Sequence, residues 1–217
     1  MPPTPTAGRG RFVVLEGLDG AGTTTQAARL AARLSEAGIA VEVHREPTTG
    51  PLGAVLRQAI EGRIELDPAT LALAFAADRA DHLNNPRNGV RAQLERGTWV
   101  VCDRYVLSSL AYQASDDLDG AWLEQINAFA VAPDLTVFVD VDAGTSMSRI
   151  DARSAAGELF HDGDRLARVR EAYHRVLDRA HFTGELLVVD GAASIDAVAD
   201  AIWDGVREAL PDAALTR

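Results

Sequence analysis

Phe12-Val-Val-Leu-Glu16-Gly-Leu-Asp-Gly20-Ala-Gly-Thr-Thr-Thr25-Gln is the stretch on which the fold turns. Phe12 to Leu15 reads as a short buried strand. Gly17, Gly20 and Gly22 then make a turn, and a helix follows with Leu30 and Leu34 on one face. Strand, glycine-rich turn and helix are the setting in which a phosphate-binding loop forms. Glycines let the backbone turn tightly and let several N–H groups point inward together. The helix start adds unpaired N–H groups and the positive end of a dipole. Against the pattern G-x-x-x-x-G-K-[ST], Gly17 and Gly22 fit, and Thr24 offers a hydroxyl for Mg²⁺. Thr23 occupies the lysine position, so that point charge is missing. The plainer reading of the stretch is a tight turn that packs a helix on a strand.

The missing lysine is part of a wider pattern. All 21 Lys+Arg residues of the chain are arginine. Arginine is bulkier and planar, and fits poorly inside a tight loop. Thr23 therefore agrees with a chain-wide bias against lysine, compensated by a cation elsewhere. It agrees as well with a slow or inactive donor side.

Working outward, 217 residues suit one domain with a full core. The expected division is a single domain over 11–210, with loose tails at 1–10 and 211–217. A net charge of −11 argues against non-specific binding to a nucleic acid backbone. It leaves room for a nucleotide site, which needs only a local group of arginines. The single cysteine, Cys102, builds neither a disulfide framework nor a zinc site, so a reducing cytoplasm is the default. No apolar run is long enough to span a bilayer, and the Pro/Thr/Gly-rich start is no signal peptide.

Strands and helices alternate, which predicts an α/β fold with a parallel sheet covered by helices on both faces. The first helix is expected over about Thr23–Ala37, stopped by Gly38. Ile39 to His44 suits a second strand and delivers Arg45-Glu46-Pro47 at its end, where such sheets bind ligands. Asp67-Pro68 caps a helix carrying Phe75 and Arg79 one turn apart. Together they could stack on a base and bond its edge, or be a core Phe and a surface Arg. Trp99 to Cys102 is an apolar strand ending in Asp103-Arg104-Tyr105. A carboxylate there suits Mg²⁺, and Arg104 suits a phosphate. Ser108, Ser109, Tyr112 and Gln113 follow on adjacent helix faces.

Trp122, Ile126 and Phe129 predict a helix ended by Pro133. A strand over Leu135–Val141 and a helix from Asp142 to about Ser154 come next. Arg149 and Arg153 lie one turn apart on that helix and lead into a loop-like segment, an arrangement suited to a lid at about 149–164. A long helix with Leu166, Val169, Tyr173, Val176, Leu177 and Ala180 inward leads to a last strand, Leu186–Val189. Ser194 caps the closing helix. The five histidines show no metal spacing.

Six of these pieces, in order, resemble the thymidylate kinase family, the bacterial dTMP kinases. They are Glu16-Gly-Leu-Asp-Gly-Ala-Gly, Arg45-Glu46-Pro47, Phe75-Ala-Ala-Asp-Arg79, Asp103-Arg104-Tyr105, Ser108-Ser109-Leu-Ala-Tyr112-Gln113 and Pro133-Asp134-Leu-Thr. The resemblance implies a P-loop nucleoside-monophosphate kinase fold with a five-stranded parallel sheet, a homodimer, and phosphoryl transfer from ATP to dTMP with Mg²⁺. It implies a donor site over Gly17, Leu18, Asp19, Gly20, Ala21, Gly22, Thr23, Thr24 and Thr25, with Arg149 near adenine and Arg153 near the transferring phosphoryl. Phe75 would stack on thymine, and Arg79, Ser109 and Gln113 would contact the base. Tyr112 would sit by the sugar and disfavour a 2′-hydroxyl. Arg45 and Arg104 would clamp the acceptor phosphate, Asp19 would lie near sugar and metal, and Thr24 and Asp103 would hold Mg²⁺. Two departures touch the donor side: Thr23, and a segment 155–164 that lacks the family's Asp-Arg-aromatic-Glu run. Two other readings therefore stand beside the dTMP kinase: a nucleotide-binding protein with weak or no catalysis, and a kinase for another deoxynucleoside monophosphate.

Overall fold

The computed structural model describes residues 8–114, 116, 118–153, 163–212 and 214–215. Its centre is a five-stranded, all-parallel sheet in the order β2-β3-β1-β4-β5, formed by Phe12–Gly17, Val41–Arg45, Trp99–Asp103, Leu135–Asp140 and Glu185–Asp190 (β1 to β5). The inner strands β1 and β3 are buried along their whole length, as their unbroken apolar runs require.

The helices are α1 (Thr23–Glu36), α2 (Pro51–Ile60), α3 (Pro68–Asn84), α4 (Val90–Glu95), α5 (Val106–Ala114), α6 (Gly120–Ile126), α7 (Ala143–Arg153), α8 (Gly163–Val176), α9 (Ala180–Thr183) and α10 (Ile195–Ala209). Gly38 takes φ 86° just beyond α1, the left-handed turn that only glycine adopts without cost. Asp67 accepts from the N–H groups of Ala69 and Thr70, with Pro68 at the first helical position of α3, and Ser194 caps α10 through Ala197 N.

Two elements end earlier than their apolar pattern predicts. α6 stops at Ile126 instead of running on past Phe129, because the Asn127 amide donates to Leu123 O and breaks the ladder. The expected long helix over 166–180 divides into α8 and α9, and the bend tucks Phe182 into the core. Packing also reaches past 11–210: Gly10 N donates to Leu94 O, and Leu215 is buried in the core. The expected lid falls largely on residues 154–162, which lie outside the described residues.

Glu16 is the exception in the apolar β1. Its carboxylate is fully buried, and it accepts from Tyr105 N at 2.9 Å, Ser108 N at 3.2 Å, Ser108 Oγ at 2.6 Å and the Tyr173 hydroxyl at 3.0 Å. It thereby satisfies orphan N–H groups at the start of α5 and ties α8 to the sheet. Burial pushes its pKa up, while Ser108, Arg104 and Tyr173 pull against that. Glu16→Ala leaves these donors without an acceptor. At about 1–3 kcal/mol for each group that stays unsatisfied, we expect a loss of at least about 3 kcal/mol in urea unfolding. A loss under about 1 kcal/mol would show that the carboxylate is not the strut described.

Candidate functional site

A cleft of about 670 Å³ opens beyond the carboxyl ends of β1, β2 and β3, the edge at which open parallel sheets bind ligands. One end is the glycine loop. Gly20 and Gly22 have φ of 80° and 97°, and Ala21 N closes the turn on Leu18 O at 3.0 Å. A side chain at Gly17 would strike Val139 O at 2.8 Å, so glycine is required there by close packing. Asp19, Gly20, Gly22, Thr23 and Thr24 line the cleft. Gly17, Leu18, Ala21 and Thr25 shape the loop without lining it; Leu18 and Ala21 are buried under it. Thr23 lines the cleft although almost buried, and its hydroxyl brings no charge to it.

The middle of the cleft carries the arginines. Arg104 stands directly after β3 with φ 71°, a left-handed backbone that costs a non-glycine residue about 1–3 kcal/mol. Its N–H bonds Leu15 O at 2.9 Å, and its guanidinium donates to Gly17 O and to Asp19 Oδ1, each at 2.7 Å. The unusual backbone thus aims a cation at the glycine loop. Arg104 also lies 5.3 Å from the Tyr112 ring centre, and the Tyr112 hydroxyl accepts from Asp19 N at 3.0 Å. Arg45 lines the cleft, and among the described residues its side chain makes no hydrogen bond or ion pair.

The far end holds Phe75, Arg79, Ser109, Tyr112 and Gln113. Phe75 is part-exposed on the cleft wall. Arg79 is almost fully buried: Nε donates to Glu46 at 2.9 Å, Nη2 to Tyr105 O and Ser109 Oγ at 3.1 Å each, and Nη1 to Asn127 Oδ1. Among the described residues, three buried side-chain atoms lack a partner: Gln26 Oε1, Asp103 Oδ1 and Gln113 Oε1. The last two belong to cleft-lining residues. Such atoms are costly unless a ligand or water completes them.

Thr24 Oγ1 donates to Asp103 Oδ2. That pairing leaves Asp103 Oδ1 as a buried carboxylate oxygen in want of a partner, which fits a divalent cation or its bound water. Arg149 lies outside the cleft lining and reaches back to Ala21 O at 3.5 Å. Arg153 closes α7, and its side chain falls outside what is described.

Several contributors carry no motif signal. Arg57 joins the lining from α2 and donates to the carbonyl of Thr48; Arg165 joins from α8 and pairs with Asp116 at 3.2 Å. Both read as surface arginines in a helix. Asn127 reads as a helix residue. Glu16 has a signal: a lone charge inside a buried strand.

A family model described as thymidylate kinase matches residues 15–202. The chain is 42% identical over 207 residues to the thymidylate kinase of Thermomicrobium roseum, covering 92% of this chain and 95% of that protein. It is 38% identical over 194 residues to the probable thymidylate kinase of Pyrococcus horikoshii, covering 87% and 91%. A thymidylate kinase of Bradyrhizobium sp. (strain ORS 278) is 35% identical over 220 residues, covering 94% and 92%. With a match that runs from the end of β1 into α10, this chain belongs to the thymidylate kinase family.

Proposed function

We propose that this chain transfers the γ-phosphoryl group of ATP to dTMP, giving dTDP, in the cleft beyond β1, β2 and β3. The observation that carries the reading is continuity: one cavity joins the glycine loop to Phe75 and Gln113, with Arg45 and Arg104 between. That spans a donor phosphate site and an acceptor base site.

The roles follow. Main-chain N–H groups between Gly17 and Thr25 hold the donor phosphates. Arg149 serves near the adenine and Arg153 near the transferring phosphoryl. Phe75 stacks on thymine, with Arg79, Ser109 and Gln113 along its edge. The unpartnered Gln113 Oε1 suits an N–H donor on that edge. Tyr112 packs by the sugar and disfavours a 2′-hydroxyl. Arg45 and Arg104 clamp the acceptor phosphate, with Asp19 near sugar and metal. Thr24 and Asp103 would hold Mg²⁺, which neutralises charge on the donor phosphates when bound. The acceptor phosphate is already an anionic nucleophile, so the side chains position and neutralise.

We read the protein as cytoplasmic, in keeping with its single buried Cys102. No helix among the described residues is long and apolar enough to cross a membrane. We read it also as a homodimer, which the exposed Leu52, Val55 and Leu73 on the packed helices α2 and α3 support.

Three measurements test this. ADP release in a coupled assay should depend on both dTMP and Mg²⁺; none, even with abundant enzyme, would sink the reading. Arg45→Ala should raise KM for dTMP by about 10–100-fold, the worth of a charge-assisted contact, with little change in Tm. Thr23→Lys should change kcat by far less than the ~10³-fold worth of a transition-state cation, because arginines already compensate. A rise of that full size would favour the second reading, a nucleotide-binding protein with a disabled donor side, for which the buried Thr23 is the motive.

A further inference from the structure

Behind the acceptor end of the cleft a line of titratable side chains starts at Arg79 and continues through residues given no role so far. Arg79 meets Glu46 through two contacts to Oε2, from Nε at 2.9 Å and Nη2 at 2.7 Å. The other oxygen, Oε1, lies 2.9 Å from His82 Nδ1. His82 Nε2 lies 2.7 Å from His44 Nδ1. His44 Nε2 lies 3.2 Å from Glu42 Oε2, which also accepts from Gln93 Nε2 at 2.9 Å. Side-chain exposure climbs steadily along the line: 1% at Arg79, 3% at Glu46, 6% at His82, 11% at His44 and 47% at Glu42. The line therefore runs from the base end of the cleft out to solvent.

Counting protons constrains its charge. Glu46 needs an N–H at His82 Nδ1. Glu42 needs one at His44 Nε2. The contact between the rings needs one N–H shared by two facing nitrogens. Meeting all three contacts at once takes three N–H groups on four nitrogens, one proton more than two neutral imidazoles hold. With that one extra proton the line alternates in sign: Glu42 negative, histidine pair positive, Glu46 negative, Arg79 positive. Without that proton one of the three contacts goes unmade. A second proton sets two N–H groups against each other across 2.7 Å and forces the rings apart. Because His82 is bound to one Glu46 oxygen and Arg79 to the other, that motion reaches Arg79.

We propose that His82 and His44 are positioning residues for the acceptor base. Through Glu46 they hold Arg79 in place, and double protonation of the pair loosens that hold. The inference rests on the reading of Arg79 as a base contact. Two other arginines lie close by in the fold: Arg45, exposed between His44 and Glu46, and Arg57, which donates to the Thr48 carbonyl. Cys102, opposite His44 on β3, is kept neutral because burial pushes its thiol up, with Glu46, Asp103 and Glu16 adding to the push. Tyr105 is likewise kept a neutral phenol, first by burial. Asp78 on α3 is taken up by Thr48. Burial first, and His82 second, push the pKa of His44 below the ordinary imidazole value, while Glu42 pulls the other way. A depressed histidine contributes stability above its unfolded pKa and loses it on acidification, so the hold on Arg79 weakens at low pH.

The test is the KM for dTMP at saturating ATP, from about pH 8 down to about pH 5.5, for wild type and His44→Asn. Asparagine keeps a donor near the Nδ1 position and removes the second proton site. Ionisation of dTMP is common to both proteins and cancels in their ratio. We expect KM of the wild type to rise several-fold more than that of His44→Asn on acidification, with the ratio of their KM values for ATP unchanged by pH. Superimposed dTMP profiles, or an equal shift in both substrates, would overturn the proposal. A ¹⁵N titration of the wild-type imidazoles gives a second readout. Uptake of a second proton by the pair over the range in which KM rises supports the proposal, and a protonation state unchanged across that range sinks it. Absence of any dTMP-dependent turnover removes the functional reading and this role together, whereas normal turnover with superimposed profiles removes this role alone.

Discussion

A single buried carboxylate sets the geometry of the cleft. Glu16 sits in the central strand, where a charge has no water, and four donors from two later segments converge on it. A buried anion is tolerated when its lone pairs are filled, and removing its partners is costly. The constraint therefore acts in both directions: the strand needs the start of α5, and the start of α5 needs the strand. Once Tyr105 and Ser108 are pinned, the chain between them and Asp103 has little freedom. Arg104 is left in a left-handed conformation with its guanidinium beside Gly17 and Asp19. The glycine loop and the arginine that faces it are thus placed by one interaction inside the core.

The same logic explains how a chain with net charge −11 offers a site for anionic nucleotides. The arginines in the cleft differ in how they are held. Arg79 is bound on every nitrogen and buried, which suits a fixed hydrogen-bonding surface. Arg104 is tied to Asp19 and to a backbone carbonyl, so its charge is aimed and partly compensated. Arg45 makes no such contact among the described residues. A gradient from committed to uncommitted guanidinium leaves charge for a ligand in the middle of the cleft. Acidic residues elsewhere on the surface do not cancel it at short range, because exposed charges are screened within about 10 Å.

Much of this was legible in the residues because local and global signals agreed. The strand, glycine turn and helix from Phe12 onward form as their pattern demands, and the caps at Asp67 and Ser194 are used as caps. The candidate acceptor residues stood out because polar and aromatic side chains fell directly after strands or on one helix face. Failures came where a distant partner overrode the pattern. Asn127 ends α6 because its amide turns back on Leu123 and its carbonyl serves Arg79, a residue 48 positions away. α8 ends at Val176 although the apolar spacing runs on, and Phe182 on α9 is buried in the core. Tyr173 counted as part of an apolar stripe, yet its hydroxyl completes the Glu16 cluster. Periodicity reports which face is inward; it says nothing about which buried polar atom meets which.

Thr23 is the sharpest case of that difference. As a letter in a pattern it is a missing cation. In the fold it is a buried residue in the first turn of α1, close enough to the loop that a methyl on Gly17 would lie 3.3 Å from its Cγ2. The loop above it keeps its left-handed glycines and its closing Ala21–Leu18 bond. What a phosphate meets there is therefore backbone N–H and the end of a helix dipole, and neither depends on the side chain at 23. Those groups bind ground state and transition state alike, so they account for affinity more readily than for rate. Rate needs a cation that tracks the migrating phosphoryl. On α7, Arg149 touches the loop at Ala21 O by a weak 3.5 Å contact, and Arg153, one turn on, is the arginine we assign to the transferring phosphoryl. The division of labour we propose is binding by the loop's backbone and charge neutralisation by arginines carried on α7.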